Sequence, residues 1–370
     1  MEKSFGQVMQ EWLYGDQGYY RSAHIGRDFY TAVTLSKLFG GSIARHILSL
    51  LDSSALDSSV LESTPLSLPL HIIEIGAHHG ELMCDVYDFL SALSVGVMEQ
   101  TRFSIIEPLE SLRKKARETI AQRAITQVGT LDEIALDEGE SVFIISNELF
   151  DAFACELVCI DGDQELLACV CCDGAKAPMS LVWRDLHGLA YGDCAMDSSL
   201  ESSMRHRARR IREFMQRFGI TSGEIPLGWE EFIARICGFA SRAKSWRFLS
   251  FDYAGLGGTG GGQVFSLRGF FAHRVLGFPE IMQNLPALFT RCDLTYNVDF
   301  ALLEQIFAAH GACKLFSGRL SALLVEFGLI TLLGELLEHS PSEYRTQSLR
   351  ARELLAGSLG EKFMGVCFGG

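Results

Sequence analysis

The sequence predicts an α/β fold built on a mostly parallel sheet, with a ligand crevice at the carboxyl ends of its strands. Three observations predict it. Short apolar runs at 71–75, 103–107 and 141–146 have the length and composition of buried strands. Helix-length segments at 81–93 and 109–122 lie between them, as parallel strands require. The runs close on Gly76, Glu107 and Asn147, which places glycine, carboxylate and amide groups where open α/β sheets bind ligands.

Taken in order, the chain opens with helices at 4–14 and 35–51. Phe5, Val8, Met9 and Leu13 recur at helical spacing in the first. A loop at 15–27 carries Gly18-Tyr19-Tyr20, and the serine-rich stretch 52–69 reads as a linker. After the strand–helix alternation, 155–172 reads as a hairpin around Asp161-Gly162-Asp163. Charged and mixed helices follow at 196–218 and 229–243, the strand pattern resumes at 247–253, and a hairpin at 264–275 precedes a helix at 298–310. The expected organisation is an N-terminal helical segment with linker (1–69), the first part of a nucleotide-type domain (70–154), an inserted α+β substrate or cap region (155–245), and completion of the domain (246–370).

Composition narrows the function. Thirty-two basic and 46 acidic residues leave a formal charge of −14, which disfavours nucleic acid and anionic membrane and favours a basic partner. No uninterrupted apolar run reaches membrane-spanning length: Glu326 and Glu335 interrupt the longest, 320–337. Eleven cysteines without a signal-like apolar start point to free thiols in a reducing compartment, the cytoplasm.

Three constellations carry chemistry. In Glu74-Ile75-Gly76-Ala77-His78-His79-Gly80, glycines after a strand let backbone amides meet a ligand at the next helix, or simply make a strand-to-helix turn. Glu107 closes the second strand, where a carboxylate accepts hydrogen bonds from the ribose of an adenosine cofactor or stays solvated. Asn147-Glu148-Leu149-Phe150-Asp151 sets an amide and two carboxylates at the crevice mouth. These suit a guanidinium or amine, and Asn147 equally suits a helix N-cap.

These residues resemble the MidA-like S-adenosylmethionine-dependent methyltransferases, a family that includes the mitochondrial complex I assembly-factor arginine methyltransferase. The resemblance runs nearly end to end. Its parts, in order, are Gly18-Tyr19-Tyr20 with Asp28-Phe29-Tyr30-Thr31-Ala32 and Phe39-Gly40, Glu74-Ile75-Gly76 with Gly80, and Ile106-Glu107 with Leu112-Arg113. Asn147-Glu148-Leu149-Phe150-Asp151-Ala152 is similar to the family's most specific element. Asp252-Tyr253, Ser266-Leu267-Arg268 with His273, Asp293-Leu294-Thr295, Val298-Asp299-Phe300 and Gly360-Glu361-Lys362-Phe363 follow. The resemblance implies a Rossmann-like class I methyltransferase fold. Glu74, Gly76, Gly80 and Glu107 would hold S-adenosylmethionine, and Asn147, Glu148 and Asp151 would orient the methyl acceptor. It implies a protein arginine as acceptor, on a subunit of respiratory complex I, and leaves a homodimer open. The chain departs from the pattern at Ala77 and His78, where the family has proline and glycine. It also departs at Ala32-Val33-Thr34, at Gly41 in place of an acidic residue, and at Phe153 in place of proline.

Weaker features have plainer expectations. Adjacent His78 and His79 lack partners at ligand spacing, so no metal is expected. Cys169, Cys171 and Cys172 alternate along a strand and read as buried thiols, and the basic run 205–217 reads as a solvated helix face. The glycine-rich 255–262 suggests a loop over the site, and His273 is either a proton acceptor or a structural hydrogen-bonder. Three other classes stand beside the methyltransferase: a non-catalytic relative that binds a partner, a methyltransferase for small molecules, and a nicotinamide oxidoreductase, which the 76–80 spacing disfavours.

Overall fold

A computed structural model describes residues 2–21, 31–52, 65–171, 179–192, 199–254 and 265–370. The loop expected at 255–262, Asp28-Phe29-Tyr30, most of the serine-rich stretch and Cys172 lie outside the described residues. The chain divides into two compact units. One comprises Tyr30–Leu149, Ile233–Ala254 and Ile306–Gly370, the other Met1–Phe29, Phe150–Phe232 and Gly255–Gln305. This division crosses the expected segments, because the first helix belongs with the inserted region and the helix at Leu38–Leu51 with the sheet.

The sheet unit holds seven strands, numbered here within the sheet: β1 (Leu70–Ile75), β2 (Thr101–Ile106), β3 (Ile125–Val128), β4 (Ser141–Asn147), β5 (Trp246–Tyr253), β6 (Cys313–Arg319) and β7 (Phe363–Gly369). Their order is β3-β2-β1-β4-β5-β7-β6. The pairs from β3 to β5 are parallel, and β7 runs antiparallel to both β5 and β6. Every residue of β1 is buried, as is every residue of β4 before Asn147, which explains their largely apolar composition. Strand order reverses between β1 and β4, so the carboxyl ends of these two strands flank the crevice of the sheet.

Helices α1 (Leu38–Leu51), α2 (Glu81–Leu93) and α3 (Glu110–Ile120) cover the sheet with α4 (Leu320–Glu326), α5 (Leu329–His339) and α6 (Pro341–Ala356). Their apolar faces join one core, where Phe39, Ile43, Met83, Val86, Leu320 and Leu324 surround Ile72, Phe143 and Leu249. The apolar stretch 320–337 is not one helix. Gly328 takes the left-handed conformation (φ 87°) between α4 and α5, which meet at 59°. No single helix among the described residues is long and apolar enough to cross a membrane.

The second unit is α+β. Its larger sheet is antiparallel and built from Glu2–Ser4, Glu156–Asp161, Gln164–Cys171, Ser180–Asp185 and Gly223–Ile225. A three-stranded sheet joins Arg268–Phe271 to Arg274–Gly277 and Asp293–Thr295. The helix Phe5–Tyr14 starts from a Ser4/Gln7 capping box, and Glu156 accepts the Gly6 amide at 2.9 Å and the Ser4 hydroxyl at 2.8 Å. The basic run proves to be less solvated than expected. On the helix Ser199–Phe218, Arg207 pairs with buried Glu156, Arg212 with Glu165 and Arg217 with Glu230, while Arg209 donates to the Ala190 carbonyl. Cys169 is buried and Cys171 half-buried; two positions apart, they share one face of the strand.

Candidate active site

In the sheet unit, the expected cofactor residues gather where β1 turns into α2. Gly76 (φ 73°) and Gly80 (φ 78°) adopt left-handed backbone, which glycine tolerates and other residues resist. A Cβ at Gly76 would stand 3.1 Å from Leu149 Cδ1, and one at Gly80 3.1 Å from Ile120 Cγ2. The Gly76 and Ala77 amides donate to the Ile106 carbonyl at 3.0 and 3.3 Å, which ties the bend to the end of β2.

Glu74 does more inside the fold than toward a ligand. It is 5% exposed, and its carboxylate accepts the Met83 amide at 3.0 Å, satisfying one orphan donor of the first turn of α2. Burial pushes its carboxyl up to about 8 against the pull of that amide, with the charges of Glu107, Glu81 and Asp85 adding to the rise.

Glu107, 4% exposed, knots two loops together. One oxygen accepts the His78 amide at 3.0 Å and the other the Leu109 amide at 2.9 Å. Burial raises its carboxyl to about 6, opposed by those two amides and by Arg113. Arg113 donates to the carbonyls of Glu107 and Pro108 at 2.7 and 2.9 Å and so clamps the end of β2 from the other side.

His78 stands in this bend with φ 49°, the left-handed region without glycine's freedom. Its ring lies 3.8 Å from that of His79, centroid to centroid. The Nε2 atoms of both are buried without a hydrogen-bond partner among the described residues.

At the end of β4, Glu148 also has left-handed backbone, φ 51°. Its amide donates to the Phe251 carbonyl at 2.8 Å. Asp252, fully buried, holds the turn by accepting the Leu149 amide at 3.1 Å and the Tyr253 amide at 2.9 Å. Asn147 Nδ2 donates to Glu148 Oε1 at 3.0 Å, and Asn147 Oδ1 is buried without a partner among the described residues. Asn147 is therefore no helix N-cap: the Leu149 amide goes to Asp252, and a single 3₁₀ turn, Phe150–Ala152, follows. The Leu149 side chain lies against the Gly76 bend, so the end of β4 with Asn147 and Glu148 adjoins the candidate cofactor loop within one unit.

Asp151 belongs to the second unit, so the three expected acceptor residues fall in two units. There Asp151, 7% exposed, accepts the Thr295 hydroxyl at 2.6 Å. Two positions along the same strand, Asp293 accepts the Tyr20 hydroxyl at 2.9 Å, and Tyr14 stacks on Tyr20 with ring centroids 5.3 Å apart. Burial holds the Tyr20 phenol well above its usual range, with Asp293, Tyr14 and Asp151 adding to the effect, so it remains a donor. Tyr20, Asp293 and Thr295 are site candidates that residue-by-residue reasoning missed. Their only signal is that Gly18-Tyr19-Tyr20 and Asp293-Leu294-Thr295 are two of the resemblance motifs. His273, by contrast, sits exposed at the tip of the Arg268–Gly277 hairpin, where Ala272 and His273 (φ 49° and 60°) make the two-residue turn.

The sheet-unit residues fit an adenosyl sulfonium. The bend has no side chain at Gly76 or Gly80, each Glu107 oxygen keeps a lone pair beyond its amide bond, and the carboxylates Glu107, Glu81 and Asp85 suit a cationic cofactor.

The family model described as "Putative S-adenosyl-L-methionine-dependent methyltransferase" matches residues 44–317. Two solved structures from Burkholderia thailandensis share the fold. One, bound to S-adenosyl-homocysteine, is 22% identical with a TM-score of 0.71, over 100% of this chain and 88% of that one. The other, a native structure from the same superfamily, is 20% identical with a TM-score of 0.69, over 100% and 87%. No curated protein matches the chain.

Proposed function

Since the chain belongs to this family of S-adenosyl-L-methionine-dependent methyltransferases, we propose that it methylates a nitrogen of a protein side chain, an arginine guanidinium by the family resemblance. The observation that carries the reading is the Glu107 carboxylate, bonded to the amide of the glycine bend while retaining lone pairs for a ribose. When bound, S-adenosylmethionine supplies an electrophilic methyl group. The chain supplies grip and alignment. Glu107 accepts the ribose hydroxyls, Gly76 and Gly80 leave room for the cofactor to approach the backbone, and Glu74 fixes the bend by anchoring α2. Glu148, steadied by Asn147, accepts an N–H of the acceptor and receives the proton its nitrogen sheds. Asp151, oriented by the Thr295 hydroxyl, is the second carboxylate assigned to the acceptor. The net charge of −14 supports a basic acceptor, for which a respiratory complex I subunit is the family's precedent, and a cytoplasmic site of action is part of the same reading.

Calorimetry tests the cofactor assignment. Glu107→Ala is expected to weaken S-adenosylmethionine binding by at least about tenfold, because a buried charge-assisted pair is lost. Asp151→Ala is expected to spare binding and abolish transfer of labelled methyl to proteins of a host lysate. Equal cofactor affinity in wild type and Glu107→Ala refutes the assignment. One observation favours a second reading, a binding or assembly factor: His78 places an imidazole where the family carries glycine. Absence of both heat and thermal shift with the cofactor selects that reading.

A further inference from the structure

We propose that His78, His79 and Glu81 form a site for one divalent transition-metal ion of the zinc class. One ligand atom from each of the three lies within 4.8 Å of the others. The sequence argues against a metal here because the adjacent histidines lack partners at ligand spacing. The left-handed backbone at His78 and Gly80 reverses that: it turns the chain so that both imidazoles and the Glu81 carboxylate converge.

A second, independent observation points to a ligand. The Nε2 atoms of both rings are buried with no hydrogen-bond partner among the described residues. Buried imidazole nitrogens ordinarily find partners, and two unmet ones side by side call for an electrophile or a donor. Two imidazoles and a carboxylate make a common three-ligand zinc set, with water as fourth ligand. Tetrahedral bonds of about 2.1 Å require ligand atoms about 3.4 Å apart, so the set must contract, and Glu81, part-exposed and at the first turn of α2, has the freedom to swing inward.

Charge acts in both directions: the positive end of α2 and Lys115 oppose a cation, while the Glu81 carboxylate beside His79 attracts one. Nitrogen and carboxylate donors select zinc, cobalt, nickel or copper over magnesium and calcium. The site needs no methyl transfer, so it stands or falls separately from the proposed activity.

The test uses the full chain, titrated with cobalt(II) and, against a chromogenic chelator, with zinc(II). The wild type is expected to bind one equivalent with the intense visible bands of a low-symmetry cobalt site. His78→Gly suits the left-handed backbone and so preserves the fold. It and His79→Ala are each expected to lose at least about tenfold in affinity, and Glu81→Gln, at a part-exposed position, to weaken binding and alter the bands. His339→Ala, far along the chain on α5, is expected to bind as wild type. Absence of binding, or affinity unchanged in both histidine variants, overturns the proposal.

Discussion

Left-handed backbone at His78 and Glu148, φ 49° and 51°, marks both sides of the candidate cofactor loop, and each costs on the order of 1 kcal/mol relative to glycine. The candidates Glu74, Gly76, Gly80, Glu107, Asn147 and Glu148 are named in the sequence from their places at or beside strand ends. What each touches is not. The His78 amide and the Glu107 carboxylate are 29 positions apart, and the Tyr20–Asp293 bond joins positions 273 apart, separations over which no spacing rule operates. Glu74 illustrates the difference, since a residue read as a cofactor ligand also serves as an internal anchor of α2. Its carboxyl is raised from the usual range to about 8, so the folded state holds a proton that the unfolded state releases. Stability is therefore undiminished below about pH 4.5 and falls as pH rises toward 8. Glu74→Gln keeps an acceptor for the Met83 amide without titrating. Its melting temperature is expected to gain on the wild type between about pH 5 and about pH 9, and a pH-independent difference contradicts the assignment.

Among the elements, those buried on both faces announced themselves. β1 and β4 are largely apolar because both of their faces are covered, and β5 is buried alike although it carries Arg247, Ser250 and Asp252. β3 escaped notice because Ile125-Thr126-Gln127-Val128 is short, polar and at the sheet edge, and β6 because five of its seven residues are polar, charged or glycine. β7 was missed because Gly365 and Gly369 weaken its strand signature. Packing explains Gly365. A Cβ there would fall 2.5 Å from Leu323 Cδ1 and 2.6 Å from Phe251 Cε1, in the core between α4 and β5. Gly365→Ala is expected to destabilise by about 1–3 kcal/mol, read as a lower denaturant midpoint at unchanged slope, and a midpoint equal to wild type refutes the packing argument.

For the molecule as a whole, the alternation of strand and helix conveyed the α/β class, whereas the partition into units could not be read from it. The helix Phe5–Tyr14 is tied through Glu156 to a strand 150 positions further on, and nothing local in 1–69 signals that. Charge is the global property with a functional consequence. A net charge of −14 would draw in the proposed basic acceptor, and salt screens such attraction over a Debye length of about 10 Å at 0.1 M. The Michaelis constant for a basic peptide acceptor is expected to rise several-fold from low to high ionic strength while kcat holds. A constant insensitive to salt removes charge from the account of recognition.

The place of β7 in the sheet has a consequence for how the protein is made. It is the last of the seven strands in chain order, yet it lies between β5 and β6 and runs against both. A ribosome delivers those neighbours first, and until residues 363–369 emerge each keeps an open edge facing the gap. The nascent chain thus carries two unpaired, adhesive borders until β7 emerges, a window in which a holdase chaperone has something to protect.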